Sequence, residues 1–517
     1  MKFQHSLYLL LIVSVLLITS GCGDDDQDGS AEFNIQYKAQ PLSNFDTVEF
    51  DELATTDKTI QFRPILQIDM ADQGQPAELY MVAHDPASGA WQARTAGGWE
   101  SYAGAVPTFQ TVEALAAELD FNLSSVPFTA AQVEIYYGYR LTQNAAAGYR
   151  GKGLRVTVST TAQAMQAKLA TRHAEEDWIP GFLMGVWIPD EGAWFGATGL
   201  ADIETQQPMR EMIDAPYRIG SQTKTFTAML ILQLIDEGYF SLDDTLMDLL
   251  GPERARLVDN AERITVRHLL SHRTGICNYI LTDTFRNSQQ NNDTTYWPPE
   301  TLVLLAESAA CEAAEGVPSL FGEPSYSNTN YILLALIAEA ATGNDWEDAI
   351  ETRFFEPLGM TNSYVPRDGD GELPEGAIVP YWNPTQWGGD NTLVRVGYLK
   401  PSRPWAAGNI ISTVRDMMTW FAAVTSGELL DNEELIDAQR DWFEFTGTSK
   451  VGLGIFHETV PNTIEHKGGI PGFTMTSSYQ IDTGALMIGV TNTDTGHLRV
   501  PREIFYETFA GTSQASP

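Results

Sequence analysis

Between Thr225 and Ile235 the chain reads TFTAMLILQLI, apolar on nearly every side of a helix. A helix with one apolar stripe lies on a surface, whereas one that is apolar all round is enclosed by other structure. The segment therefore calls for a layered domain with a substantial core. Gly238 follows, a residue free to take the left-handed conformation that ends a helix. Just before the run stands YRIGSQTK, Tyr217 to Lys224, which places a serine and a lysine at the mouth of the buried helix.

Ser221 and Lys224 are three residues apart, so they share a face if the helix begins near Ser221. A helix start also carries unpaired N–H groups and partial positive charge, which suits a developing oxyanion. Serine is a poor nucleophile until a neighbouring base takes its proton. Lysine is such a base only when neutral, and burial together with a second cation nearby would make it so. The plainer reading has Ser221 capping the helix and Lys224 reaching solvent. Partners elsewhere in the chain decide between the two.

At 517 residues the chain exceeds a single core, and its texture changes along its length. Residues 1–22 form an export leader: Lys2, an apolar stretch from Leu7 to Ile18, then small residues and Cys22. Thr19-Ser20-Gly21-Cys22 resembles a bacterial lipobox, in which the cysteine is lipidated and tethers the mature chain to a membrane, here the outer membrane or cell surface. Residues 23–32 read as a flexible tether. Residues 33–158 are punctuated like strands and turns, with one helical insert expected at TVEALAAEL, and read as a β-rich spacer or adhesion module. Residues 159–512 are mixed α/β: a helix, two strands, several helices, four late strands and a last helix, followed by a tail at 513–517. Strands at both ends with helices between predict an antiparallel sheet. The formal charge of −37 repels phosphate backbones and argues against nucleic-acid binding.

Two further polar clusters follow the serine in order. Tyr326-Ser327-Asn328 precedes an apolar helix; Tyr326 suits a proton relay and Asn328 a substrate amide. The competing triplet Tyr381-Trp382-Asn383 runs into Pro384 and an irregular loop, a worse platform for positioning. Near the end, His466-Lys467-Gly468-Gly469 lies on a strand whose glycines let backbone approach a substrate closely. The Gly469 N–H, paired with that of Ser221, would form an oxyanion hole.

Taken together, these motifs and the stretches ITVRHLLSHRTGI, EPLGMTNS and AAGNIISTVRDMMTWF resemble the serine β-lactamase-like family, which includes AmpC-type β-lactamases, D-alanyl-D-alanine carboxypeptidases and related esterases. The resemblance covers about 160 to 512. It implies a five-stranded antiparallel sheet flanked by helices with a helical lobe. It also implies Ser221 as acylated nucleophile, Lys224 and Tyr326 as acid/base partners, and Asn328 and His466 in the substrate cleft. No cofactor or metal is implied. One departure stands out: Lys467 occupies the place of the family's usual Thr or Ser, whose hydroxyl assists binding of a substrate carboxylate. Its ammonium could replace that hydroxyl or point away.

The expected function is an exported serine hydrolase working through an acyl-enzyme, with D-alanyl-D-alanine peptides as first substrate and small esters, amides or β-lactams as alternatives. A slow or non-catalytic penicillin-binding sensor is the alternative of another class. A zinc hydrolase built on His268 and His272 lacks the glutamate of a zincin motif, and an α/β-hydrolase lacks its Gly-x-Ser-x-Gly elbow. Cys277 and Cys311 remain as candidates for a disulfide.

Overall fold

A computed structural model describes residues 65–95, 98–102, 106–121, 132–143, 149–176, 178–290, 295–306, 321–383, 392–494 and 499–510, with short strands at 32–33, 50–55, 61–62 and 123–124. The leader with Cys22, most of the tether, Cys311 and the tail lie outside the described residues. The chain divides into two compact units, residues 1–167 with 187–194, and residues 168–186 with 195–517.

The first unit is built on a β-sheet. Strand β1 (Phe50–Thr55) runs parallel to β5 (Tyr149–Val158), β5 pairs antiparallel with β4 (Gln132–Leu141), β4 with β2 (Ala77–Asp85), and β2 with β3 (Ala90–Thr95). Side chains alternate across the sheet as strand geometry requires. Leu79, Met81, Ile135 and Tyr137 enter one core, while Tyr80, Val82 and Tyr136 enter an aromatic layer on the other face. The helix expected at TVEALAAEL is absent. Gln110–Val112 pairs with β2 and Glu118–Asp120 pairs with Ile65–Gln67, while Leu115 is buried between them. Ladder hydrogen bonds and burial of Leu115 and Leu119 override the helix propensity of the Ala and Glu residues.

The second unit carries the antiparallel sheet. Strands β6 (Gly181–Ile188) and β7 (Gly192–Asp202) contribute to it with their residues 181–186 and 195–202, and there Gly181 lies against the carbonyls of Thr198 and Leu200. Beyond the helices come β8 (Phe456–Glu458), β9 (Thr463–Ile470), β10 (Phe473–Gln480) and β11 (Leu486–Thr491). β8, β9, β10 and β11 pair in succession, and β11 returns to β6. The chain therefore closes its sheet with strands from both ends of the unit.

Helices cover this sheet. Helix α1 (Thr160–Glu175) ties to the last helix, α5 (Arg499–Phe509), through Arg172–Glu503 at 2.7 Å and Lys168–Glu507 at 2.9 Å. Helix α2 (Thr223–Asp236) is the run apolar all round, and it is enclosed. It packs against α3 (Asn328–Thr342) on one side and α4 (Val414–Ser426) on another, where Phe226 stacks on Trp420 at 3.7 Å and the Trp420 indole N–H donates to Thr225 at 2.7 Å. Gly238 ends α2 with φ +83°.

Candidate active site

Ser221 sits on a single 3-10 turn, Gly220–Gln222, that leads directly into α2. Two close approaches fix that turn against β9. Gly220 has φ +50°, and a Cβ there would lie 2.9 Å from the Gly469 carbonyl oxygen. A Cβ on Gly468 would lie 2.5 Å from the Ile219 carbonyl oxygen. Between them the buried Gln222 amide donates to the His466 carbonyl at 3.2 Å and to Ser477 Oγ at 2.9 Å. Motifs far apart in sequence are thus locked together by backbone packing, with Ser221 left partly exposed at the seam.

Lys224 is fully buried. Its Nζ lies 3.1 Å from Ser221 Oγ, 2.6 Å from Asn328 Oδ1 and 2.7 Å from the Ala407 carbonyl oxygen. The faces of Tyr326 and Tyr331 lie 5.0 and 5.6 Å away and would favour an ammonium by about 1–2 kcal/mol. Burying an ammonium costs on the order of 4–7 kcal/mol, so desolvation wins. Burial accordingly holds the Lys224 amine well below the ordinary lysine range. The second cation expected from sequence plays no part. A neutral amine has two hydrogens and one lone pair. Two of its three neighbours, the amide and carbonyl oxygens, can only accept, so they take the hydrogens. The lone pair then faces the Ser221 hydroxyl, which is the geometry of a general base.

The Tyr326 phenol is hydrogen-bonded to Ser221, and burial pushes it above the ordinary tyrosine range. It is therefore a neutral phenol, suited to pass a proton rather than to act as a standing phenolate. Asn328 opens α3 and is 7% exposed. Its Oδ1 accepts from Lys224, and its Nδ2 donates one hydrogen to Asn278 Oδ1 at 3.0 Å. Its geometry is that of a group orienting Lys224.

His466 is buried, and its Nδ1–H donates to the Lys467 carbonyl at 2.8 Å. This bond fixes the tautomer and leaves Nε2 as an acceptor with no partner among the described residues. Burial first, then the neighbouring Lys224, lowers its pKa to about 3. His466 is therefore uncharged across the physiological range, and Lys224 is the group expected to set the acid limb of a kcat/KM profile. Replacing His466 with glutamine is expected to move that limb by no more than ~0.5 pH unit in a kcat/KM profile, because no charge is removed. Alternation along β9 puts Lys467 on the opposite side from His466. Its ammonium reaches Glu458 at 3.3 Å and Glu465 at 4.0 Å. Pairing of β8 with β9 stops at Glu465, so β8 leaves the edge from His466 to Ile470 uncovered beside Ser221.

Tyr381 and His268 lie apart from this cluster. The Tyr381 hydroxyl donates to Asp202 at 2.8 Å and its ring is buried. His268 closes a capping box with Thr265, while His272 lies beyond that helix with φ +54°, so the two are not paired ligands. Among the described residues no group of three His, Cys, Asp or Glu could hold a metal. Cys277 is held in a disulfide. Sequence reasoning did not pick out Asn278, Gln222 or the Ala407 carbonyl. The AAGN stretch was a visible signal for the last, but a carbonyl carries no residue identity to read.

Comparison with known proteins agrees with this geometry. The chain is 27% identical over 252 residues to penicillin-binding protein 4 of Amycolatopsis lactamdurans, covering 47% of this chain and 58% of that protein. It is 32% identical over 197 residues to esterase EstB of Burkholderia gladioli, covering 36% and 46%. The chain spans about half the length of the curated relatives it matches. Among solved structures, a D-stereospecific amidohydrolase from Streptomyces sp. superposes with a TM-score of 0.57 at 28% identity, covering 68% of this chain and 99% of that one. Residues 161–509 match the family model described as Beta-lactamase, and the chain belongs to that family of serine hydrolases.

Proposed function

We propose that the protein is an exported serine hydrolase that cleaves small amides or esters through an acyl-enzyme on Ser221. The observation that carries this is the buried Lys224 amine, whose two hydrogens are held by Asn328 and Ala407 while its lone pair faces Ser221. In the proposed cycle Lys224 takes the Ser221 proton as Oγ attacks the acyl carbon. Tyr326 relays that proton to the leaving amine or alcohol. The N–H groups of Ser221 and Gly469 hold the oxyanion. Water then attacks the ester, giving its proton back through the same pair, and the acid departs. Export and lipid attachment at Cys22 place the reaction at the cell envelope, with the β-rich residues 33–158 as spacer.

Lys467 bears on the substrate. It is turned to the side opposite His466 and its ammonium is engaged by Glu458 and Glu465, so it offers no free cation to a carboxylate on the leaving group. This favours amides and esters whose leaving group is uncharged, and the amidohydrolase and esterase relatives support amides and esters as the substrate class. D-alanyl-D-alanine carboxypeptidase activity is the second reading, supported by the penicillin-binding relative. The test is intact-mass analysis of the chain lacking residues 1–22 after exposure to a fluorescent penicillin and to a fluorophosphonate, with Ser221→Ala as control. An adduct lost in the variant supports the hydrolase. Turnover of D-alanyl-D-alanine amide above that of the free dipeptide supports the first substrate class, and the reverse order supports the second. No adduct with either probe on folded protein overturns both and leaves a non-catalytic binder.

A further inference from the structure

Resting on the acyl-transfer reading above, we propose that His272 is a positioning residue for the reaction: it grips the loop on both sides of Tyr326 and holds the phenol against Ser221. Three features of the geometry carry this. First, the two backbone N–H groups that flank Tyr326 both donate to His272. Ser325 N–H reaches the His272 carbonyl at 2.7 Å, and Ser327 N–H reaches His272 Nδ1 at 3.2 Å. Second, the imidazole lies against the phenol ring, with centroids 4.4 Å apart and planes 32° from parallel. Third, His272 takes φ +54°, a left-handed conformation that costs a non-glycine residue about 1–2 kcal/mol. Such strain persists where surrounding contacts over-determine it, and the bonds from Ser325 and Ser327 are among those contacts.

The chemistry of the ring fits the task. Nδ1 accepts from Ser327, so it carries no hydrogen, and the hydrogen lies on Nε2. Asn330 Nδ2 lies 3.3 Å from the same Nδ1, and Thr274 Oγ1 donates to Asn330 Oδ1 at 2.8 Å, which turns that amide's donor toward the ring. The Nε2–H is buried with no partner among the described residues. An unpaired buried donor costs about 1–3 kcal/mol, so packing alone would favour an apolar ring here. What an apolar ring cannot provide is the acceptor for Ser327. Burial keeps the imidazole uncharged, so it supports Tyr326 without placing a cation beside the Lys224 amine. The next residue continues the grip: the Arg273 carbonyl accepts from Gly322 N–H at 3.0 Å, and its Nε donates back to the Gly322 carbonyl at 2.8 Å.

The two functions of the ring can be separated by substitution. His272→Asn keeps an acceptor near the position of Nδ1, tolerates the left-handed conformation and removes the plane. His272→Phe keeps the plane and removes the acceptor. His272→Ala removes both. Hydrolysis of p-nitrophenyl acetate by the full chain in detergent would be followed, with folded fraction measured by thermal unfolding. The expected result is a fall in kcat of at least about tenfold for His272→Ala with KM changed by less than about threefold, since the loss concerns proton transfer rather than binding. His272→Asn should recover kcat to within about threefold of the unaltered chain, and His272→Phe should not. If His272→Ala fails to fold, the order of Asn above Phe decides the matter alone. Unaltered kcat per folded molecule in His272→Ala overturns the inference, as does His272→Phe equal to or better than His272→Asn. Absence of Ser221-dependent turnover in the unaltered chain removes the underlying reading and this inference with it. Turnover that survives His272→Ala removes this inference alone.

Discussion

Replacing Lys224 with methionine is expected to lower kcat/KM for Ser221-dependent ester hydrolysis by about 10²- to 10⁴-fold, the range supplied by a positioned general base. Methionine fills a similar volume, but its thioether is a weak acceptor with no basicity to take the proton of the Ser221 hydroxyl, which lies 3.1 Å from the lysine amine. The Tyr326 phenol cannot take over, because burial holds it neutral above the ordinary tyrosine range. Stability should respond in its own way. The amine is depressed in the fold by burial, so between that lowered value and the unfolded value near 10.4 the unfolded chain binds one more proton at this site. Unfolding free energy of the unaltered chain therefore falls by about 1.4 kcal/mol per pH unit as pH drops through that window. The methionine variant has no such term. It loses the bonds to Asn328 and Ala407, yet it should gain on the unaltered chain as pH is lowered from 10 toward neutrality. Urea unfolding of both chains at two pH values in this window measures the difference. A difference that does not move with pH would mean the amine stays charged in the fold, and the base assignment would fall with it.

The parts of the site that were legible in sequence are those whose side chains carry the chemistry. Ser221, Lys224, Tyr326 and His466 announce themselves by residue type and order. The structure brings them together around one seam between α2, α3 and β9. What tunes them was not legible, because it comes from backbone and from distant chain. Lys224 is made neutral by burial against residues 104 and 183 positions away, not by a second cation. Asn328 stands out in the motif, but its bonds to Lys224 and to Asn278, 50 positions earlier, are not visible there. The orientation of Lys467 follows from strand alternation, which sequence does offer. Its partner Glu458 required the register of β8 on β9. In the first unit, Ala and Glu propensity at TVEALAAEL lost to pairing with segments some fifty positions earlier, a contest that no local window contains.

Two neighbouring glycines should behave in opposite ways. Gly468→Ala places a Cβ 2.5 Å from the Ile219 carbonyl oxygen and also into the Met475 thioether. The thioether is flexible and can move. The carbonyl belongs to the backbone two residues before Ser221 and can yield only by shifting the turn that carries the nucleophile. A displacement on the order of 1 Å at a reacting group costs about 10²-fold in rate. The same overpacking costs about 1–3 kcal/mol in stability. Gly469→Ala meets no heavy atom within 4 Å and needs no left-handed backbone. It should keep the unaltered thermal midpoint, with a change in stability within about 0.5 kcal/mol. Phosphonylation of Ser221 by a fluorophosphonate separates the two variants, since that step needs the serine, its base and the oxyanion N–H groups in register, and Gly469→Ala keeps its backbone N–H. Gly468→Ala should react about 10²-fold more slowly than Gly469→Ala. Equal rates would show that the Ile219–Gly468 contact does not set the position of Ser221. The seam would then be held by Gly220 against Gly469 and by Gln222 bridging His466 and Ser477.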